Sequence, residues 1–221
     1  MPGYHVKHES FVMGDSEFVI RSLLDNRQYA DADGAAAAAG ISPASWPLFG
    51  LVWPSARILA EEMQTHDIAG KHILETGCGL ALASLVIHRR LGDVTASDRH
   101  PLAQAFLDNN LLLNGLPALP YQCGDWGGDN PALGRFDLII ASDVLYERDQ
   151  PAALSAFIVA HAQPAAEVIV VDPGRGNSND FCKRMQGHGF TLTLRRAASA
   201  LPGGERFKGH VLHFRRQAAP G

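Results

Sequence analysis

Short apolar runs recur along this chain with helical stretches between most of them, and this alternation restricts the fold more than any other feature. "HILET", "DVTASD", "YQCGDW", "FDLIIASDVLY" and "EVIVVDP" read as strands. "LALASLVIHRRLG", "PLAQAFLDNNLLLNG", "DQPAALSAFIVAHAQ" and "NSNDFCKRMQGHG" read as the helices between and after them, three of them ending near a glycine that can cap them. Strands separated by helices build right-handed parallel βαβ units. At the end the pattern changes: "FTLTLRRA" and "RFKGHVLHFRR" are joined only by "ASALPGGE", which predicts an antiparallel pair. The expected fold is therefore α/β, a Rossmann-like open sheet of seven strands. It is mostly parallel, with an antiparallel C-terminal strand and helices on both faces.

Before this region, "WPSARILAEEMQTH" predicts a helix from Pro54 to His66, with Ile58, Leu59 and Met63 on its apolar side. "FVMGDSEFVIRSLLD" fits either a short strand or a helix, and the Gly- and Ala-rich "YADADGAAAAAGISPAS" is expected to be mobile. A net charge of −4 supplies no electrostatic footprint for nucleic acid or an anionic membrane. Cys78, Cys123 and Cys182 are far apart and the ten histidines lack ligand spacing, so no metal site is expected. Reduced thiols, an opening "MPGYHVKHES" without an apolar signal core, and no membrane-length apolar run lead to a cytoplasmic expectation.

"HILETGCGLALASL" places a glycine turn between the first strand of this series and a helix. In open α/β sheets, ligands bind beyond the carboxyl ends of the strands where strand order reverses. Gly77 and Gly79 allow close backbone approach, and the helix behind them points amides at a ligand. Asp98, 19 residues after Gly79 at the end of the next strand, is placed to accept from ribose hydroxyls. A dinucleotide fingerprint requires a glycine where Leu82 stands. Glu75 at the strand tip disfavours a phosphate and favours an ammonium group. S-adenosylmethionine combines an adenosine with positive charge and meets these conditions.

The stretches "WPLFGLVWPS", "ILETGCGLA", "GDWG", "SDVLYE" and "DPGRG", running from Trp46 to Gly176, resemble the seven-β-strand, class I S-adenosylmethionine-dependent methyltransferases. Within that class they resemble the protein lysine methyltransferases related to the electron transfer flavoprotein β-subunit enzyme. The resemblance implies an N-terminal extension over 1–45, partly flexible, and a methyltransferase domain over 46–217. It implies that Glu75, Gly77 and Gly79 line the methionine part of the cofactor, Asp98 the ribose, and Asp125 and Trp126 the adenine, with Trp53 packed nearby. Ala81 departs from the E-x-G-x-G-x-G pattern, although alanine is small enough to keep the turn.

"SDVLYE" matches the family's D-x-x-Y pattern, which implies that Asp143 positions the acceptor amine and Tyr146 completes its pocket. Asp172 and Arg175 in "VDPGR" are candidates for contact with the acceptor protein. The leading expectation is an S-adenosylmethionine-dependent N-methyltransferase acting on a protein lysine. Alternatives are a small-molecule N-methyltransferase, a non-catalytic S-adenosylmethionine-binding scaffold and, last, an NAD-dependent oxidoreductase.

Overall fold

In the computed structural model, residues 4–27, 31–197 and 207–218 are described. A hairpin of β1 (Val6–Met13) and β2 (Ser16–Leu23) precedes the main sheet and resolves the strand-or-helix question for that stretch. A four-residue helix α1 (Ala35–Ala38) and a 3-10 turn at Trp46–Leu48 lead to α2 (Pro54–Thr65), which ends within one residue of the expected boundary. There follow β3 (His72–Thr76), α3 (Leu82–Arg89), β4 (Asp93–Asp98), α4 (Ala103–Leu113), β5 (Tyr121–Cys123) and β6 (Phe136–Ser142). The chain continues through α5 (Gln150–His161), β7 (Ala162–Asp172), α6 (Ser178–Gly187), β8 (Thr191–Arg196) and β9 (His210–Arg216). The linker "ASALPGGE" lies outside the described residues.

The main sheet has seven strands in the order β5-β4-β3-β6-β7-β9-β8. Pairings from β5 through β7 are parallel, and β9 runs antiparallel to both β7 and β8, as the helix-free final connection predicts. Strand order reverses at β3, which pairs with β4 on one side and β6 on the other. A crevice therefore opens beyond the carboxyl ends of these strands.

Alternation along the strands divides the core between the two faces. Ile73, Leu138, Ile140, Ile169 and Val171 join α2, α3, α4 and the hairpin on one side. Leu74, Ile139, Ala141, Val168 and Val170 join α5 and α6 on the other. One boundary departs from the sequence reading: "AQ", read as helix, begins β7, because Ala162 leaves α5 in an extended conformation and pairs with Phe136.

Phe18, Ile20 and Leu23 of the hairpin are fully buried. Two asparagines of α4 and the turn after it serve the backbone of β2 as a strand edge would: Asn110 Oδ1 accepts from the Arg21 amide at 2.8 Å. The Asn114 side chain accepts from the Val19 amide and donates to its carbonyl, at 2.9 and 2.8 Å. From the hairpin the Leu23 amide donates to the Gly50 carbonyl at 2.7 Å. The hairpin thus anchors the segment that crosses the crevice.

Candidate active site

The β3–α3 turn forms the floor of the site. Gly77 and Gly79 both adopt left-handed backbone (φ 61° and 54°), which favours glycine, and their surroundings differ. A Cβ on Gly77 would lie 2.9 Å from Val144 Cγ1 and 3.4 Å from the Trp126 ring, whereas one on Gly79 would meet no atom within 4 Å. Gly77 is bare because protein packs on it. Gly79 is bare toward open space, where a ligand can approach its backbone. Ala81, at the position of the family's third glycine, is also left-handed (φ 58°), so the turn keeps its shape despite a Cβ that costs about 1–2 kcal/mol in that region.

Asp98 braces this turn. Its Oδ2 accepts from the Gly79 amide and its Oδ1 from the His100 amide, each at 2.8 Å, while Tyr121 Oη donates to the Asp98 carbonyl at 2.8 Å. Burial raises the Asp98 pKa, and the two amide donors counter it. Trp126 donates through Nε1 to Thr76 Oγ1 at 2.8 Å, locking the indole over Gly77. Asp125 is exposed and accepts from the Gly127 amide at 3.3 Å in a local turn. Trp53 donates through Nε1 to the Leu48 carbonyl at 2.7 Å, tying the start of α2 to the crossing segment.

Across the crevice, Asp143 follows β6 in left-handed backbone (φ 54°), a strained conformation for a residue with a Cβ. Its amide donates to the Val171 carbonyl at 2.9 Å, and its Oδ1 accepts from Arg175 Nε at 2.8 Å. Asn177 Nδ2 donates to the Leu145 and Glu147 carbonyls, both at 3.0 Å, pinning the Asp143–Glu147 loop to the start of α6. Burial, the first cause, raises the Tyr146 pKa, so its phenol stays protonated at neutral pH.

These groups meet in one cleft of about 280 Å³. Trp53, Gly77, Gly79, Asp98, Asp125, Trp126, Asp143 and Tyr146 all line it. Glu75 does not. It is buried, and its Oε2 accepts from the Ser84 amide at 2.8 Å and from the Ser84 hydroxyl, so it braces the first turn of α3 from behind the glycines. Burial pushes its pKa up to about 7, against the Ser84 donors and helped by the charge of Asp98.

Other lining residues were not foreseen. Phe49 stacks on His100 with ring centroids 3.9 Å apart, and burial drives the His100 pKa down to about 4, leaving the imidazole neutral. Ser45 donates its hydroxyl to Glu147 Oε1 across 102 residues of sequence. His100 lies two residues beyond Asp98, and its place past the tip of β4 is the sequence signal that points to it. The Ser45–Glu147 contact has no local signal. Among the described residues no His, Cys, Asp and Glu group is arranged to hold a metal, and no helix is long and apolar enough to cross a membrane.

The bare Gly79 backbone, the strand-tip carboxylate of Asp98 and the adjoining indoles fit an adenosyl group bound in this cleft. Comparison with known proteins agrees with that fit. The chain is 26% identical over 141 residues to the mouse electron transfer flavoprotein beta subunit lysine methyltransferase, covering 62% of this chain and 54% of that one. It is 29% identical over 126 residues to human histone-arginine methyltransferase METTL23, covering 53% and 66%. The chain thus spans between about half and two thirds of the length of these relatives. In fold it resembles the structure of magnesium protoporphyrin IX methyltransferase from Synechocystis PCC 6803 with bound SAM, with a TM-score of 0.57, 17% identity, and coverage of 72% of this chain and 76% of that one. The family model for lysine methyltransferases matches residues 48–188, a segment that holds the glycine turn, Asp98, Trp126, Asp143 and Arg175, and the chain belongs to that family.

Proposed function

We propose that this protein is an S-adenosylmethionine-dependent N-methyltransferase that methylates a lysine side chain of a protein, with residues 46–217 as its methyltransferase domain. The observation that carries the reading is the placement of Asp143 in the same cleft as the Gly77–Gly79 turn and Asp98. S-adenosylmethionine supplies an electrophilic methyl carbon on a sulfonium, so the protein has to bind, orient and exclude water. Gly79 and Asp98 hold the adenosyl and methionine side, and Trp126 and Trp53 wall it. Asp143 accepts a hydrogen bond from the acceptor nitrogen and holds its lone pair in line, and Tyr146 closes the pocket.

Lysine is favoured over arginine by the state of the carboxylate. Arg175 already takes Oδ1 of Asp143, which removes the two-oxygen fork that a guanidinium pairs with best. A single remaining oxygen suits an amine. The three cysteines are free, consistent with the proposed cytoplasmic setting.

The test is to incubate the protein with S-adenosylmethionine carrying a labelled methyl group and a cell extract, then hydrolyse the labelled fraction. Label recovered as methyl-lysine in protein is the expected result. Methylarginine would overturn the lysine assignment, label in small molecules would replace the protein acceptor, and no transfer would leave a binding scaffold.

A further inference from the structure

The ion pair between Asp143 and Arg175 puts a cation where a cationic acceptor would have to arrive. The Arg175 side chain is 42% exposed and that of Asp143 only 10%, so the guanidinium stands at the mouth and the carboxylate lies inside. The backbone at both ends is fixed. The Asp143 amide is bound to Val171, the Arg175 carbonyl accepts from the Ser178 hydroxyl at 3.2 Å, and the preceding Gly174 amide is held by Asp172 Oδ2 at 2.9 Å. The pair leaves Asp143 Oδ2 without a hydrogen bond among the described residues.

The charges around this pair are mostly negative. Glu147, Asp149 and Asp98 line the same cleft, Asp172 couples electrostatically to Asp143, and Arg99 beside the phenol of Tyr146 is the other lining cation. Such a cleft without Arg175 would hold an ammonium ion firmly, in the protonated form that has no lone pair to react. We propose that Arg175 is a specificity-determining residue of the acceptor end: its guanidinium on Oδ1 keeps Asp143 from capturing protonated amines, so that the acceptor is received as the uncharged amine on Oδ2. This rests on the reading of Asp143 as the group that meets the acceptor. Arg175 is a positioning residue that acts through the Asp143 carboxylate.

The test uses n-butylammonium as the probe, titrated by NMR at neutral pH into the full chain saturated with S-adenosylhomocysteine. Arg175→Met should bind the probe roughly tenfold or more tightly than the unaltered protein, and Arg175→Lys, which keeps the charge, should behave like the unaltered protein. Adding Asp143→Asn to Arg175→Met should abolish the gain. S-adenosylhomocysteine affinity within about threefold in every variant shows that the fold is intact. Equal or weaker binding by Arg175→Met, or no detectable binding, overturns the proposal. If Asp143→Asn weakens the probe while Arg175→Met has no effect, the role of Asp143 survives and the gate does not. A gain in Arg175→Met that persists with Asp143→Asn refutes both.

Discussion

The two ends of the cleft are built in opposite ways. At the cofactor end, backbone does most of the holding: both oxygens of Asp98 bind amides, and Gly79 presents bare backbone to the ligand. At the proposed acceptor end, side chains from separate segments hold one another, Arg175 on Asp143 and Ser45 on Glu147. Backbone held by a strand and a helix is a fixed template, and cannot be exchanged for a ligand without local unfolding. The Asp143–Arg175 pair engages one carboxylate oxygen and leaves Oδ2 open, so in the proposed reading an acceptor can come and go without the pair opening. The contrast suits one cofactor at one end and, at the other, the exchanging protein acceptor that we propose.

The sharpest way to break this contrast is to remove one carboxylate from each end and assay with the acceptor identified by labelling. Asp143→Ala should lower methyl transfer by roughly 10²-fold or more while leaving S-adenosylmethionine affinity within about threefold, because misplaced reacting atoms are costly. Asp98→Ala should weaken cofactor binding by about 1.5–3 kcal/mol, and saturating cofactor should recover much of the rate. Calorimetry and steady-state kinetics on the two variants decide it. Equal losses of binding in both would show that the ends are not separate.

A second, smaller effect tests how deeply the cofactor end is built into the core. With its pKa raised from 4.5 to about 7, native Glu75 keeps a proton that the unfolded chain releases across that range. Its stabilising contribution is therefore complete below pH 4.5 and is lost as pH rises through 7, a loss on the order of 2 kcal/mol between about pH 5 and 7. Glu75→Gln retains an oxygen acceptor for Ser84 and removes the titration. Denaturant melts of the ligand-free variant should show that much less destabilisation over this interval than the unaltered protein. Parallel pH profiles would remove Glu75 as the source.

The smallest effect is at Ala81. Ala81→Gly relieves the left-handed backbone but loses a buried methyl group and loosens the unfolded chain, terms of about 1 kcal/mol that oppose each other. Stability should change by less than about 1 kcal/mol and S-adenosylmethionine affinity by less than about threefold. A large gain in affinity would make position 81 a ligand contact and not only a turn position.

The glycine turn and the neighbouring strand tip were legible in sequence because their parts are local. Glu75, Gly77 and Gly79 lie within one strand-to-helix turn, and Asp98 ends the next strand, so spacing alone places them at neighbouring strand tips. The direction of the Glu75 side chain was not legible. Alternation shows that a strand residue faces one side of the sheet or the other, but whether it meets ligand or a helix depends on what packs there, and Ser84 of α3 occupies that place. The hairpin was ambiguous for a similar reason: its strands are completed by Asn110 and Asn114, which lie 89 and 95 residues from the amides they serve.

By itself the sequence determined the α/β class, the parallel sheet with its antiparallel last strand, and the identity of the glycine turn. These follow from hydrophobic period, connection length and the backbone freedom of glycine, which neighbouring residues specify. Only the tertiary structure decided the order β5-β4-β3-β6-β7-β9-β8, the seat of the hairpin on α4, and the pairing of Arg175 with Asp143 and of Ser45 with Glu147. Such contacts join segments far apart along the chain, and a side chain selects its partner only after strands and helices have brought the candidates within hydrogen-bond reach.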